Sequence, residues 1–423
     1  MDPVIQMVLM IALLFLLGAL GEWIFARTGI PDMIWLVAAG IVVGPVFKLV
    51  TPQFLLPILP FFGAIALISI LMGGGLKFRI ADIASAAPRA SILGIVGFIM
   101  TVLAVCLYGF AMTKLGYVKP HPLEIWIMIG SIIGGTSSLV IIPTMAGGKT
   151  DSRVACILEV ESCVTDGLCV VVTVVMIDII LRGVFSFGAP VFALGQAMGV
   201  GVALGAAGGW IFIPMLQLLR GKVHSYTILL AGFLIVYGVT QLAGGNGAIG
   251  VLTCALLIGN APDLLPRLNH RLKAEDFSYD LNATTIHTQL SFFIKSFFFF
   301  LIGLMFPTSF QQILIGAGGA VVLLLARIPA VRLSMWKTPF TLSQQGVMMV
   351  AIPRGLAAGV LSTMPMYMGI PSAENLVPIV FATIVFSILI FSTGFMLFGR
   401  HSLGSPETKV SMQQTGSIVG PNR

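Results

Sequence analysis

Apolar residues in this chain do not alternate or recur on one face. They run on, broken at intervals by short polar stretches. Thirteen such runs fall near 4–26, 31–50, 56–76, 89–113, 123–146, 152–181, 188–219, 224–242, 246–260, 286–307, 311–334, 343–366 and 375–400. A helix rising 1.5 Å per residue needs about 20 apolar residues to cross a bilayer core. The pattern therefore predicts an all-α polytopic membrane protein with about thirteen transmembrane helices. The ninth run is short, and its fusion with the eighth is the miscount to watch for.

The polar intervals test that count. With the N-terminus outside, the inner intervals and the C-terminal tail hold sixteen Lys and Arg, among them Lys77, Arg79, Arg89, Arg153, Arg220, Arg267 and Lys337. The outer intervals hold four: Lys48, Lys114, Lys119 and Arg182. That asymmetry is the positive-inside signature of an N-out, C-in chain in a cell membrane. Residues 1–400 form the membrane unit on this reading. The stretch 261–285 is expected to be an interfacial segment, and the tail 401–423 to be disordered. The first run lacks a basic leader and is too long for a signal peptide, so it is expected to stay as a helix.

An odd count places helices one to six in inverted relation to eight to thirteen. Interrupted helices at matching positions of such repeats point to a transporter's binding site. The fifth run carries Gly134-Gly135-Thr136-Ser137-Ser138 and then Pro143; the twelfth carries Pro353-Arg354-Gly355. Backbone groups freed at such breaks must be satisfied by protein, water or ions.

Composition agrees: 57% of the 423 residues are hydrophobic and 9% charged, with mean hydropathy +1.04. The net charge of +7 is spread over many loops, which gives nucleic acid no patch to bind. The five cysteines lie in apolar runs without metal-ligand spacing and are read as packing residues. The glycines at 199, 201, 205, 208 and 209 make a small-residue face for close contact, within one protomer or between two.

The chemistry centres on Leu158-Glu159-Val160-Glu161-Ser162-Cys163-Val164-Thr165-Asp166-Gly167, which sets three carboxylates inside the sixth run. Carboxylates are costly near a bilayer midplane and mark function by default. Glu159 and Asp166, seven apart, share a helix face. Glu161 is turned about 140° from Asp166 and so meets something else. Counted from the cytoplasmic ends, Glu161, Ser137, Lys295 and Arg354 reach similar depths, with Asp166 about 7 Å farther out. Lys295 and Arg354 are read as the only deep basic residues. Glu161 with Arg354 is expected to form a structural ion pair, and Lys295 with Glu159 to balance charge.

These residues resemble the monovalent cation/proton antiporter superfamily, the sodium/proton exchanger-like transporters. The stretch from Leu158 to Asp166 is similar to its L-E-G-E-S-x-x-N-D helix. Gly29-Ile30-Pro31 through Gly44-Pro45 resembles its second-helix pattern ending in G-x-x-x-G-P. Gly244 through Asn260 is similar to its G-x-x-G…N helix, and Pro353-Arg354-Gly355 to its P-R-G. The resemblance implies inverted repeats with two crossed, interrupted helices, and a homodimer with a scaffold and a mobile core in each protomer. It implies ion and proton binding at Asp166 and a structural bridge between Glu161 and Arg354. Thr136 and Ser137 fall where the family's broken helix lines the ion site. Thr165 stands where electroneutral members usually have Asn and electrogenic ones Asp, and Ser137 where part of the family has Asp.

The expected function is secondary-active exchange of sodium, lithium or potassium for protons, with Asp166 the one carboxylate that both compete for. Ser162, Thr136 and Thr165 would supply further oxygens to a hard cation such as Na+. No cofactor, ATP or enzymatic step is called for. With Thr165 and Ser137 unable to titrate, one cation per proton is expected; a Lys295 that bridges Asp166 and loses its proton when the cation arrives would make it two protons per cation. A sodium-coupled organic-anion symporter is the alternative, separable by solute-stimulated sodium uptake without proton movement.

Overall fold

The computed structural model describes residues 32–48, 59–76, 79–147, 151–182, 188–219, 225–261, 281–370 and 373–399, with parts of 12–27. Most of the first apolar run, residues 262–280 of the expected interfacial segment 261–285, and the tail lie outside the described residues. The described residues are helical, with no strand among them. In chain order the helices are α1 (Asp32–Ile41), α2 (Leu59–Gly75), α3 (Ile80–Lys114), α4 (Leu123–Ile132), α5 (Ser138–Gly147), α6 (Ser152–Arg182) and α7 (Gly188–Leu219). They continue as α8 (Ser225–Leu242), α9 (Gly247–Gly259), α10 (Leu281–Leu304), α11 (Phe310–Ser334), α12 (Leu342–Val350), α13 (Leu356–Tyr367) and α14 (Leu376–Gly399).

Among the described residues five spans are long and apolar enough to cross a membrane: Ala84–Lys114, Ser152–Leu181, Gly195–Met215, Phe310–Ser334 and Leu376–Phe398. On α3 the residues Ile92, Ile95, Ile99, Leu103 and Leu107 are exposed at helical spacing. That stripe suits lipid, where an apolar surface carries no hydration cost.

The eighth and ninth runs do not fuse. Gly244 (φ +74°) turns the chain between α8 and α9, a left-handed conformation glycine adopts without penalty. Asn246 then caps α9, its Oδ1 accepting from the Ala248 and Ile249 N–H groups. α12 begins with a reciprocal cap between Thr341 and Gln344. The fourth run extends nine residues before its expected start at 89, to Ile80.

The helices sort into two bundles. One holds α3, α4, α5, α6, α11, α12, α13 and α14; the other holds α1, α2, α7, α8, α9 and α10. The second is built on glycine. A Cβ on Gly40 of α1 would lie 2.2 Å from the Phe300 carbonyl oxygen of α10, and one on Gly303 would lie 2.2 Å from that of Val37. A Cβ on Gly205 of α7 would lie 2.3 Å from the Gly250 carbonyl oxygen of α9. The small-residue face of residues 199–209 therefore serves contact within the chain, with backbones packed as in other membrane helix pairs. The bundles meet where α6 lies on α7 and where α2 approaches α5 and α13.

Candidate functional site: a crossover of two broken helices

The fifth and twelfth runs are each split in two. α4 stops at Ile132 and α5 starts at Ser138; α12 stops at Val350 and α13 starts at Leu356. Pro143 lies inside α5 and does not make the break. The two intervening strands of backbone meet: the Ser137 N–H donates to the Pro353 carbonyl at 2.9 Å. A Cβ on Gly355 would fall 2.2 Å from Ser137 Oγ, so only glycine lets the chains come this close.

Four helix ends face one another at the crossing: the negative C-terminal ends of α4 and α12 and the positive N-terminal ends of α5 and α13. Two arginines serve the negative ends. Arg354 Nη1 donates to the Gly135 carbonyl just beyond α4, at 2.7 Å. Arg327 of α11 donates from Nε to the Met348 carbonyl in the last turn of α12, at 3.0 Å. Arg354 is further fixed by its own N–H, which donates to Ser387 Oγ of α14 at 2.9 Å.

The pairing expected between Glu161 and Arg354 is not the one that forms. Glu161 takes a bidentate ion pair from Arg327, Nη2 to Oε2 at 2.7 Å and Nη1 to Oε1 in direct contact. Both side chains are buried, 1% and 5% exposed. The expectation that Lys295 and Arg354 are the only deep cations is corrected with it, because Arg327 is a third. Its signal was present: it stands seven residues, about 10 Å, inside the end of α11. Lys295 falls in α10, and its side chain lies outside the described residues.

The hydroxyls of α6 hold the first break in place. Ser162 Oγ accepts from the Ser138 N–H at 3.0 Å and donates to the Thr136 carbonyl at 2.8 Å. Thr165 Oγ1 accepts from the Thr136 N–H at 3.3 Å and donates to the Ser162 carbonyl at 3.1 Å. Both are thus occupied in securing the crossover, although the sequence suggested ion ligands. Thr136 Oγ1 is buried with no hydrogen-bond partner. Asp166 faces the same break, since a Cβ on Gly135 would lie 3.5 Å from its Oδ1.

A cavity of about 480 Å³ reaches this point between the bundles. Asp166, Thr136, Ser137 and Gly355 line it from one side, and Tyr237, Gln241 and Asn246 from the other. Among the described residues Asp166 is its one acidic lining residue, and no Lys or Arg lines it. The site offers one carboxylate and an unpartnered hydroxyl, oxygen donors that suit a small cation or a proton, while the carboxylate offsets the two positive helix ends.

Comparison with known proteins places this geometry. The family model described as "Sodium/hydrogen exchanger, transmembrane" matches residues 9–399. The K(+)/H(+) antiporter NhaP2 of Shewanella baltica (strain OS223) is 26% identical over 426 residues, covering 97% of this chain and 69% of that protein. Na(+)/H(+) antiporter 1 of Methanocaldococcus jannaschii is 26% identical over 260 residues, 59% of each chain. The solved structure of the sodium proton antiporter MjNhaP1 from the same organism, at pH 8, superposes with TM-score 0.71. It shares 21% identity and covers 95% of this chain and 100% of that one. An electron-microscopy structure of MjNhaP1 gives TM-score 0.73, covering 96% and 99%. The two solved structures share the fold, and the family match spans nearly the whole sequence: the chain belongs to the transmembrane sodium/hydrogen exchanger family.

Proposed function

We propose that the protein exchanges a monovalent cation, sodium, lithium or potassium, for protons across a cell membrane by alternating access at Asp166. The observation that carries this reading is that Asp166 is, among the described residues, the sole carboxylate lining the cavity between the two bundles. Relatives named as K(+)/H(+) and Na(+)/H(+) antiporters support it.

A bare carboxylate at that depth is costly, whereas a protonated or cation-loaded one is close to neutral. Only loaded Asp166 then passes readily from one side to the other, so proton and cation compete for one place and exchange follows without ATP. Thr136 Oγ1 is free to turn its lone pairs to the cation, which as a hard ion favours oxygen. Ser137 borders the same space. Arg354 and Arg327 stay as fixed compensation for the helix ends. Since Thr165 and Ser137 cannot titrate, the proposed exchange is one cation for one proton, and a Lys295 that gives up its proton to the arriving cation would raise it to two protons. The sixteen-to-four asymmetry of basic residues supports an N-terminus outside, and assembly as a homodimer follows the family.

Among the described residues the lining offers an organic anion no Lys or Arg as a charged partner. The test is reconstitution into proteoliposomes carrying a pH dye, with sodium, lithium and potassium added in turn. Cation-driven alkalinisation or acidification supports the reading. Solute uptake without proton movement refutes it.

A further inference from the structure

One buried acid has no part in the site described so far. Glu159 of α6 is 0% exposed, and neither carboxylate oxygen has a hydrogen-bond partner. Among the described residues it is the one acid with both oxygens orphaned. A carboxylate enclosed without any partner is held as the neutral acid, since desolvating an unpaired charge is prohibitive. An apolar residue would fill the same space at no such cost, so the position calls for a use.

Its placement supplies one. Glu159 and Asp166 are seven residues apart, on one face of α6 and about 10 Å apart along the axis. Cys163 stands between them on that face. It belongs to the apolar cluster formed with Leu71 and Met72 of α2 and Val251 and Ala255 of α9, so the face follows the seam between the bundles. Along α6 the cavity is lined from Asp166 to Val171 and by no earlier residue. Water thus has access to Asp166 from the side of the α8–α9 turn, and Glu159 lies on the sealed side.

Few titratable groups approach this stretch. On its own helix Cys156 and Cys163 stand one turn to either side of Glu159. Of the helices on α6, α5, α7 and α12 carry no titratable residue, and α2 has none either. α9 brings Cys254 and α13 brings Tyr367. α3 carries Asp82, Cys106, Tyr108 and Lys114 as well as Arg89, which is held on the Ser334 carbonyl, and α4 brings Glu124 in its first turn. α10 brings Lys295, with its side chain outside the described residues.

We propose that Glu159 is a second proton-binding carboxylate, serving the half of the pathway that is sealed in this conformation. When the bundles shift and that half opens, water reaches the Glu159 carboxyl. Its O–H bond breaks, the proton passes to water, and a carboxylate remains to meet the cation leaving Asp166. Reprotonation from the same side restores the neutral acid before the seam closes. Protons bound for Asp166 from that side use this group as a relay. The inference rests on Asp166 as the transport site.

The test compares Glu159→Gln, Glu159→Asp and Asp166→Asn in proteoliposomes over a pH series. Glutamine copies the shape of the neutral acid, so a merely structural residue predicts unchanged rates. The relay predicts a folded Glu159→Gln protein with exchange at least tenfold slower and with its pH profile flattened. Glu159→Asp should recover part of both. Wild-type exchange with glutamic acid labelled at the side-chain carboxyl with carbon-13 gives a readout needing no variant. A cation-induced infrared difference band from a carboxyl that moves with the label supports the proposal. No label-sensitive band, or Glu159→Gln rates within twofold of wild type at every pH, overturns it. If Asp166→Asn also exchanges normally, the transport site itself is misassigned; if Asp166→Asn is inactive, only the relay fails.

Discussion

The pair that holds the crossover together can be broken one partner at a time. Glu161→Gln leaves the Arg327 guanidinium buried opposite a neutral amide; the Met348 carbonyl still accepts from it, and one amide oxygen stands in place of the charged bidentate acceptor. Arg327→Gln leaves the Glu161 carboxylate, 1% exposed, without its cation. Removing one member of a buried ion pair typically costs about 3–5 kcal/mol, because the survivor keeps its desolvation cost and loses its compensation. Each single variant should therefore lose about that much in equilibrium unfolding in mixed micelles. The double variant Glu161→Gln/Arg327→Gln has no orphaned charge, so its loss should fall short of the sum by about 0.5–3 kcal/mol. Arg354 is near enough for the charges of Glu161 and Arg327 to act on it, yet its guanidinium bonds Gly135. Glu161→Gln with Arg354→Gln should accordingly show the smaller coupling. Full additivity for Glu161 with Arg327, or a larger coupling to Arg354, would refute the pairing.

Three further outcomes follow from the site. Gly355→Ala puts a Cβ 2.2 Å from Ser137 Oγ; a displaced crossover should cut exchange by about 10²-fold while the protein still elutes as folded material. Thr136→Val removes the unpartnered hydroxyl beside Asp166 and should raise the cation KM by roughly 2- to 10-fold, the worth of one hydrogen-bonding oxygen, with maximal rate little changed. Protons and cations competing for Asp166 predict that lowering the pH raises the apparent KM for sodium while saturating sodium restores the rate. A fall in maximal rate with KM constant would argue for separate sites.

Much of the fold is legible because a bilayer imposes length and purity on its helices. The breaks at residues 133–137 and 351–355 stand out because their Gly and Pro clusters fall at matching positions of the two repeats, where freed backbone groups need other partners. The partner of Glu161 does not stand out. Counting residues gives depth along the membrane normal and says nothing about position within the plane, so Arg327 and Arg354 are both reachable on that coordinate. Arg327 also hides near a helix end, where a long side chain ordinarily reaches back to water. Only the packing of α11 on α3 and α14 turns it inward. The hydroxyls of Ser162 and Thr165 carry the same ambiguity. Their position beside Asp166 is visible in the sequence, but whether an oxygen faces an ion or a backbone amide depends on where the broken helix passes. Gly199 to Gly209 announced a close contact without its partner for a similar reason, since a stripe of small residues fits any smooth backbone.

The central claim is that one carboxylate carries both proton and cation, and Asp166→Asn tests it most directly. The substitution keeps the shape of the side chain and removes the group that ionises. Reconstituted beside wild type, the variant should unfold at a similar denaturant midpoint and show no cation-driven pH change with sodium, lithium or potassium at any pH. Exchange retained at more than a small fraction of the wild-type rate would contradict the account.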